Sequence, residues 1–260
     1  MSATLALTLL GLGLAGGGLA GLLGIGGGIV LVPLLLYVPP LLGVPTLTMK
    51  EVAGLTIAQV MVASLSGFLT HRRRRVVHWG LGLWMGVPSL AGSWVGGLAS
   101  GPVSANSLLG LFAFVAAVSG ILMFAPVPEK RDVVKVADME FSPGLAAFSA
   151  ALVGCLAGMV GVGGAFMLVP VMIYVLGVPT RITIGSSLFI VVLSSVGGFA
   201  GKLFSGQVEL LMAFCLVAGA WPGARLGANL SHLVPTVTLR RTLGLIILFA
   251  AGRIVLDLAA

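Results

Sequence analysis

Eight apolar segments, at 4–38, 51–70, 79–99, 106–125, 143–176, 183–201, 209–228 and 239–258, take up most of this 260-residue chain. A run of about 20 apolar residues crosses the hydrocarbon core of a bilayer as a helix, because a helix satisfies its own backbone N–H and C=O groups. A membrane β-barrel would show short segments of alternating polarity, and none occur. Charge points the same way. Only 8% of residues are charged, whereas a soluble domain carries roughly a quarter, so most of the outer surface must face lipid. The expected fold class is all-α: a polytopic, multi-pass protein of the cytoplasmic membrane, with the lipid bilayer as its first partner.

The net charge of +7 does not indicate nucleic acid, because the 14 Lys and Arg residues sit mostly at the ends of apolar segments. That placement sets topology: cationic loops stay on the cytoplasmic side. Arg72–Arg75 is the strongest such cluster, Arg225 reads as a snorkelling residue, and Trp79, Trp84, Trp94 and Trp221 read as interfacial aromatics. Cys155 and Cys215 are isolated in apolar segments, and His71, His78 and His232 fit no metal-ligand spacing. No metal and no cofactor is expected. The N-terminus has no basic residue before its apolar run, so it is expected to be a retained membrane segment rather than a signal peptide.

Two segments, 4–38 and 143–176, are too long for one crossing. At 1.5 Å per residue, a 35-residue helix would be about 50 Å long against a core of about 30 Å. Each carries a central glycine cluster, Gly24-Ile25-Gly26-Gly27-Gly28 and Gly161-Val162-Gly163-Gly164. Clustered glycine breaks helices and adopts backbone angles that other residues avoid. Each segment is therefore predicted to be two helical pieces joined by a glycine turn.

The clusters also reveal a repeat. Residues 21–33 (GLLGIGGGIVLVP) match 158–170 (GMVGVGGAFMLVP) at seven of thirteen positions. Gly43-Val44-Pro45-Thr46 recurs as Gly177-Val178-Pro179-Thr180; at an offset of 131, Gly54 meets Gly185, Thr56 meets Ser187, Ser64 meets Ser195, and Gly67-Phe68 meets Gly198-Phe199. A shared taste for apolar residues would not bring two glycine clusters and two GVPT turns into register, so the chain is a duplication. Its parts are a first repeat (1–125), a charged linker (126–142) and a second repeat (143–260). If each long segment is a hairpin, each half has an odd number of crossings and the second half is inverted. With Arg72–Arg75 inside, the hairpin arrangement puts eleven Lys and Arg inside and leaves Lys50, Lys202 and Arg253 outside. Single crossings give nine against five. The charge bias selects inverted repeats.

Inverted repeats with broken helices place a substrate site near the midplane, where half-helix ends meet. Free N–H groups at a helix start, beside glycines that permit close approach, favour an anion. The candidate binding residues are Gly26, Gly27, Gly28, Gly163 and Gly164 for N–H groups, with Thr56, Ser186, Ser187, Ser194 and Ser195 as hydroxyl donors from the following helices. The competing reading of any single glycine is close helix packing. No carboxylate lies deep in a span, which disfavours a cation site. Arg181 and Lys202 flank the serine-bearing helix, either as anchors at the interface or as charges that draw anions in.

The glycine clusters followed by Leu-Val-Pro, the GVPT turns and the segment Ile184-Gly185-Ser186-Ser187-Leu188-Phe189 together resemble the TauE/SafE family of membrane transporters, over nearly the whole chain. The resemblance implies transport of sulfite or a related sulfur oxyanion or organosulfonate. One departure is that Gly54-Leu55-Thr56 has one hydroxyl fewer than Gly185-Ser186-Ser187. Apparent nucleotide motifs fail. Gly11-Leu12-Gly13-Leu14-Ala15-Gly16 lies inside an apolar run, and Gly201-Lys202 lacks the rest of a P-loop. The expected protein is not an enzyme; it moves a small anionic substrate on a gradient. An anion channel and a non-transporting membrane subunit are the alternatives, and the sequence is compatible with a homo-oligomer.

Overall fold

The protein is described by a computed structural model covering residues 2–23, 26–72, 78–122, 124, 141–230 and 236–259. These form α1 (Ala3–Leu23), α2 (Gly28–Leu41), α3 (Met49–Arg72), α4 (Trp79–Ala99), α5 (Ala105–Leu122), α6 (Pro143–Val160), α7 (Ala165–Pro170), α8 (Thr180–Phe204), α9 (Leu210–Leu230) and α10 (Thr236–Ala259). A wider π-helical turn, Val171–Val175, continues α7. Among the described residues there is no strand, and six helices are long and apolar enough to cross a membrane: α1, α3, α5, α6, α8 and α9. α4 and α10, of 21 and 24 residues, run beside them. The chain is an all-α polytopic membrane protein. Arg73–Arg75 and most of the linker, 125–140, lie outside the described residues, as does His232.

Both overlong segments break where the glycines stand. The first becomes α1 and α2, the second α6 and α7. Gly26 and Gly27 have φ of +75° and +68°, and Gly163 and Gly164 have +69° and +79°. Those left-handed angles are steric outliers for residues with a Cβ, which is why these turns need glycine. The repeated GVPT motifs match in the same way, with φ of +70° at Gly43 and +66° at Gly177. The glycines that match in sequence, Gly26 with Gly163, Gly27 with Gly164 and Gly43 with Gly177, thus share a left-handed backbone conformation.

Close contacts at helical glycines fix how the helices run. Gly13 faces Leu216 and Ala220, Gly223 faces Leu14 and Gly18, and Gly227 faces Gly18 and Leu22, so α1 and α9 are parallel. Gly154 lies on Ser89 and Gly158 on Ser93, so α4 and α6 are parallel; Gly82 on Phe189 and Gly86 on Leu193 align α4 with α8. By contrast, Gly198 meets Ile57 while Gly67 meets Leu188, which makes α3 and α8 antiparallel. Gly110 by Leu258 and Gly120 by Leu248 make α5 and α10 antiparallel. Several of these contacts are glycine against backbone carbonyl. Lipid offers no hydrophobic drive for helices to associate, so dispersion across such close approaches does the work.

The pairing interlocks the halves. α1 of the first repeat packs on α9 of the second, and α6 of the second packs on α4 of the first. Following these directions, the start of α3 and the ends of α4, α8 and α10 share one end of the bundle. Lys50, Lys202 and Arg253 belong to that end. The end of α3 and the starts of α4, α6, α8 and α10 share the other.

Candidate functional site

The two glycine turns meet at the middle of the bundle. A Cβ built at Gly26 would lie 3.2 Å from Val60 and 3.7 Å from Val191; one at Gly163 would run into Val60 and lie 3.5 Å from Val191. Val60 and Val191 occupy equivalent positions of α3 and α8, 131 residues apart. A Cβ at Gly28 would lie 2.9 Å from the Val162 carbonyl oxygen, so the turns touch each other directly. Behind each turn, the glycine that precedes the half-helix backs onto an alanine of the helix before it: Gly27 onto Ala20, Gly164 onto Ala157.

These turns end in two uncapped helix starts. Gly27 and Gly164 are the N-cap residues of α2 and α7, and neither cap has a side chain that accepts from the first turn. Their carbonyls start the ladders: Gly27 accepts from Val30 and Leu31, and Gly164 from Met167 and Leu168. No side chain of the cap takes up the N–H groups ahead of those bonds. The N-terminal end of a helix carries partial positive charge, and two such ends stand together here.

The predicted hydroxyls divide into those near the turns and those used elsewhere. Thr56, Ser187 and Ser194 are buried and lie three or four residues from Val60 or Val191, on the same helical faces. The Thr56 and Ser194 hydroxyls have no hydrogen-bond partner. Ser186 Oγ instead accepts from the His78 backbone N–H at 3.0 Å, which ties α8 to the start of α4. Ser195 Oγ donates to the Val192 carbonyl at 3.0 Å, as its repeat counterpart Ser64 does to Met61 at 3.2 Å. So Thr56, Ser187 and Ser194 share helical faces with the valines at the turns, while Ser186 is bonded to His78 at the start of α4 and Ser195 to Val192 of its own helix.

Three further buried polar residues escaped the sequence reading. Gln59 is fully buried next to Val60, and both of its amide atoms lack a partner; Ser89 and Ser93 of α4 are buried with unpartnered hydroxyls. Gln59 is the only amide or charged side chain between Glu51 and His71. A lone polar residue within a span is itself a functional signal, and that signal was present in the letters.

Lys202 departs from the interfacial reading. It is completely buried, and its ammonium donates to Ser100 Oγ at 3.0 Å, the Met159 carbonyl at 3.0 Å and Gln207 Oε1 at 3.2 Å. It ties the ends of α4 and α6 to the α8–α9 turn. Lys50 Nζ adds a bond to the neighbouring Gly101 carbonyl at 2.8 Å. Arg225 is exposed and stacks over Trp221, 5.1 Å from the ring centroid, which suits an interfacial pair. Among the described residues no group of His, Cys, Asp and Glu is placed to hold a metal ion.

Comparison with known proteins agrees with this architecture. Residues 9–254 match the family model described as "Sulfite exporter TauE/SafE". The chain is 27% identical to "Probable membrane transporter protein YunE" of Bacillus subtilis, over 95% of this chain and 96% of that one. It is 25% identical to a "Probable membrane transporter protein" of Haemophilus influenzae (92% and 94%) and 30% identical to one of Xylella fastidiosa (89% and 87%). No solved structure matches it. With a match that spans both repeats, both glycine turns and the helices that carry the buried hydroxyls, the chain belongs to the TauE/SafE family of membrane transporters.

Proposed function

We propose that this protein is a secondary transporter of the cytoplasmic membrane that carries a small sulfur oxyanion, sulfite first among them, through the junction of its two glycine turns. One observation carries the reading. Two uncapped helix starts of repeated sequence converge at Val60 and Val191 of α3 and α8, helices that also carry buried hydroxyls and, among the described residues, no carboxylate beyond Glu51 at the start of α3. Backbone N–H groups hold an anion through partial charge, a grip that permits release. The antiparallel run of the equivalent pairs α3 with α8 and α5 with α10 supports inverted halves, with Lys50, Lys202 and Arg253 on the outer side and Arg72 on the cytoplasmic side. Inversion is what lets one site open alternately to each side. An inside-negative potential drives an anion outward with about 2.3 kcal/mol per charge per 100 mV, so export needs no ATP.

The test is flux in proteoliposomes. Purified protein should move sulfite saturably, and a potential negative on the loaded side should speed its exit. Flux confined to cations or neutral solutes would refute the reading, and non-saturating anion flux would make the protein a channel.

A further inference from the structure

Lys202 is a full positive charge that the protein leaves unbalanced. Its side chain is completely buried. Nζ donates to Ser100 Oγ at 3.0 Å, to the Met159 carbonyl at 3.0 Å and to Gln207 Oε1 at 3.2 Å. All three partners accept. The two carbonyl oxygens have no proton to give, and the Ser100 hydroxyl directs its own to the Gly97 carbonyl at 2.7 Å or to Gln207 Oε1 at 3.3 Å. Three acceptors around one nitrogen call for three N–H groups, which only the ammonium has. No carboxylate faces it among the described residues. Glu51 accepts from the N–H and hydroxyl of Thr48, Glu209 is exposed, and Asp257 pairs with Arg253. Lys50, on the Gly101 carbonyl at 2.8 Å, adds charge of the same sign.

Joining helix ends does not require that charge. A neutral donor would tie the same carbonyls, and burying an unpaired ion is far more unfavourable than burying a neutral group. At the offset of 131, Lys202 and Gln207 correspond to His71 and Val76, so the first half does without this lysine and amide. A charge kept within a span at such a cost calls for a counter-charge, and the described protein supplies none. The bond to Met159 shows where one would act. Met159 carries one of the last four carbonyls of α6, which lack partners in their own helix and form its negative end. Two residues on, Gly161 turns the chain into the second glycine cluster. Left bare, that helix end would repel an anion at the turn junction. The ammonium offsets it and adds a positive charge.

We propose that Lys202 is the fixed cation of the anion site. It touches no substrate, because all three N–H groups already bond the protein. It acts as a positioning residue that sets the potential of the turn junction, and the arriving anion supplies the missing counter-charge. This rests on the turn junction being the anion site. Extended, the chain from Met159 to Gly164 reaches at most about 18 Å, and the turn folds it back, with the N–H groups of Gly161 and Val162 both on the Ala157 carbonyl. At a separation on the order of 12 Å and an effective dielectric of about 20, one unit charge changes monoanion affinity about tenfold and dianion affinity about a hundredfold.

The experiment measures binding of methanesulfonate, sulfite and sulfate to the purified full-length protein in detergent, at one neutral pH. The first is a monoanion, the last a dianion, and sulfite is a mixture of both. Lys202→Met should weaken methanesulfonate about tenfold and sulfate by about the square of that factor, with sulfite between them. Gln207→Glu sets a carboxylate against the intact ammonium and should reproduce this charge-graded loss, so it carries the test even if Lys202→Met fails to fold. Gln207→Leu breaks the same bonds without adding charge, and any loss it causes should be equal for all three anions. Equal losses for the three anions in Gln207→Glu, or wild-type affinities in that variant or in Lys202→Met, would overturn the inference and leave the anion site standing. Failure of the wild-type protein to bind any of the three would overturn the transport reading beneath it.

Discussion

Gly163→Ala, compared with Gly43→Ala, isolates what the turn junction demands of its residues. The two glycines have almost the same backbone angle, φ +69° and +70°. A side chain in that region costs about 1–2 kcal/mol at either position. Their surroundings differ. Nothing lies within 4 Å of a Cβ built at Gly43, whereas one at Gly163 collides with Val60 Cγ1 and comes within 3.3 Å of its Cβ. Forcing an extra carbon into a packed site costs about 1–3 kcal/mol more. Gly43→Ala should therefore lower stability by about 1–2 kcal/mol, and Gly163→Ala by about 2–5 kcal/mol. The excess should belong to one neighbour. Combining Gly163→Ala with Val60→Ala should give a favourable coupling of about 1–3 kcal/mol, because removing the valine methyls makes room for the new one. Equilibrium unfolding of wild type, Gly43→Ala, Gly163→Ala, Val60→Ala and the double variant in mild detergent measures these differences, and flux in proteoliposomes follows them. Equal destabilisation by the two alanines, or a coupling near zero, would refute the argument that the two turns converge on Val60.

Gly27→Val and Gly164→Val should each abolish transport while leaving membrane insertion largely intact, as read by flux and by the amount of membrane-extracted protein; normal transport by both would make the clusters mere packing features. Lys202→Met should be strongly non-additive with Ser100→Ala and with Gln207→Leu, by about 0.5–3 kcal/mol in unfolding experiments, because all three belong to one buried network. Cysteines placed at Ser205 and Gly101 should react with an impermeant thiol reagent from outside the cell, and cysteines at His78 and Ser142 only from the cytoplasm; labelling of Ser205 and His78 positions from one side would sink the inverted arrangement.

The helices and their breaks were legible in the letters because both are local. Length and hydropathy specify a crossing, and a glycine cluster in the middle of 4–38 or 143–176 marks a turn whatever surrounds it. The matched glycines could also be read, since they record matched backbone angles, as the pairs Gly26 and Gly163 or Gly43 and Gly177 show. Which of the candidate hydroxyls stand unpartnered was not legible. Thr56 and Ser194 are seen as unpartnered only when every neighbouring helix is in place, and Ser186 and Ser195 look the same in sequence yet bond to His78 and Val192.

What tertiary structure alone decided is which helix lies against which. Along one helix, hydropathy is nearly uniform, so it does not point a serine towards lipid, a neighbour or a cavity. Facing is set by shape: the close approach of Gly154 and Gly158 to the α4 backbone, and of Gly13 and Gly17 to that of α9, brings together parts of the chain far apart in sequence. That exchange of helices sets Ser89 and Ser93 against Gly154 and Gly158 of α6 and seals Lys202 within the bundle. Sequence determined the pieces and their turns, because those depend on residues a few positions apart. The interior chemistry depends on contacts between distant parts of the chain, such as Lys202 with Ser100 and Met159, and only the packed molecule holds those.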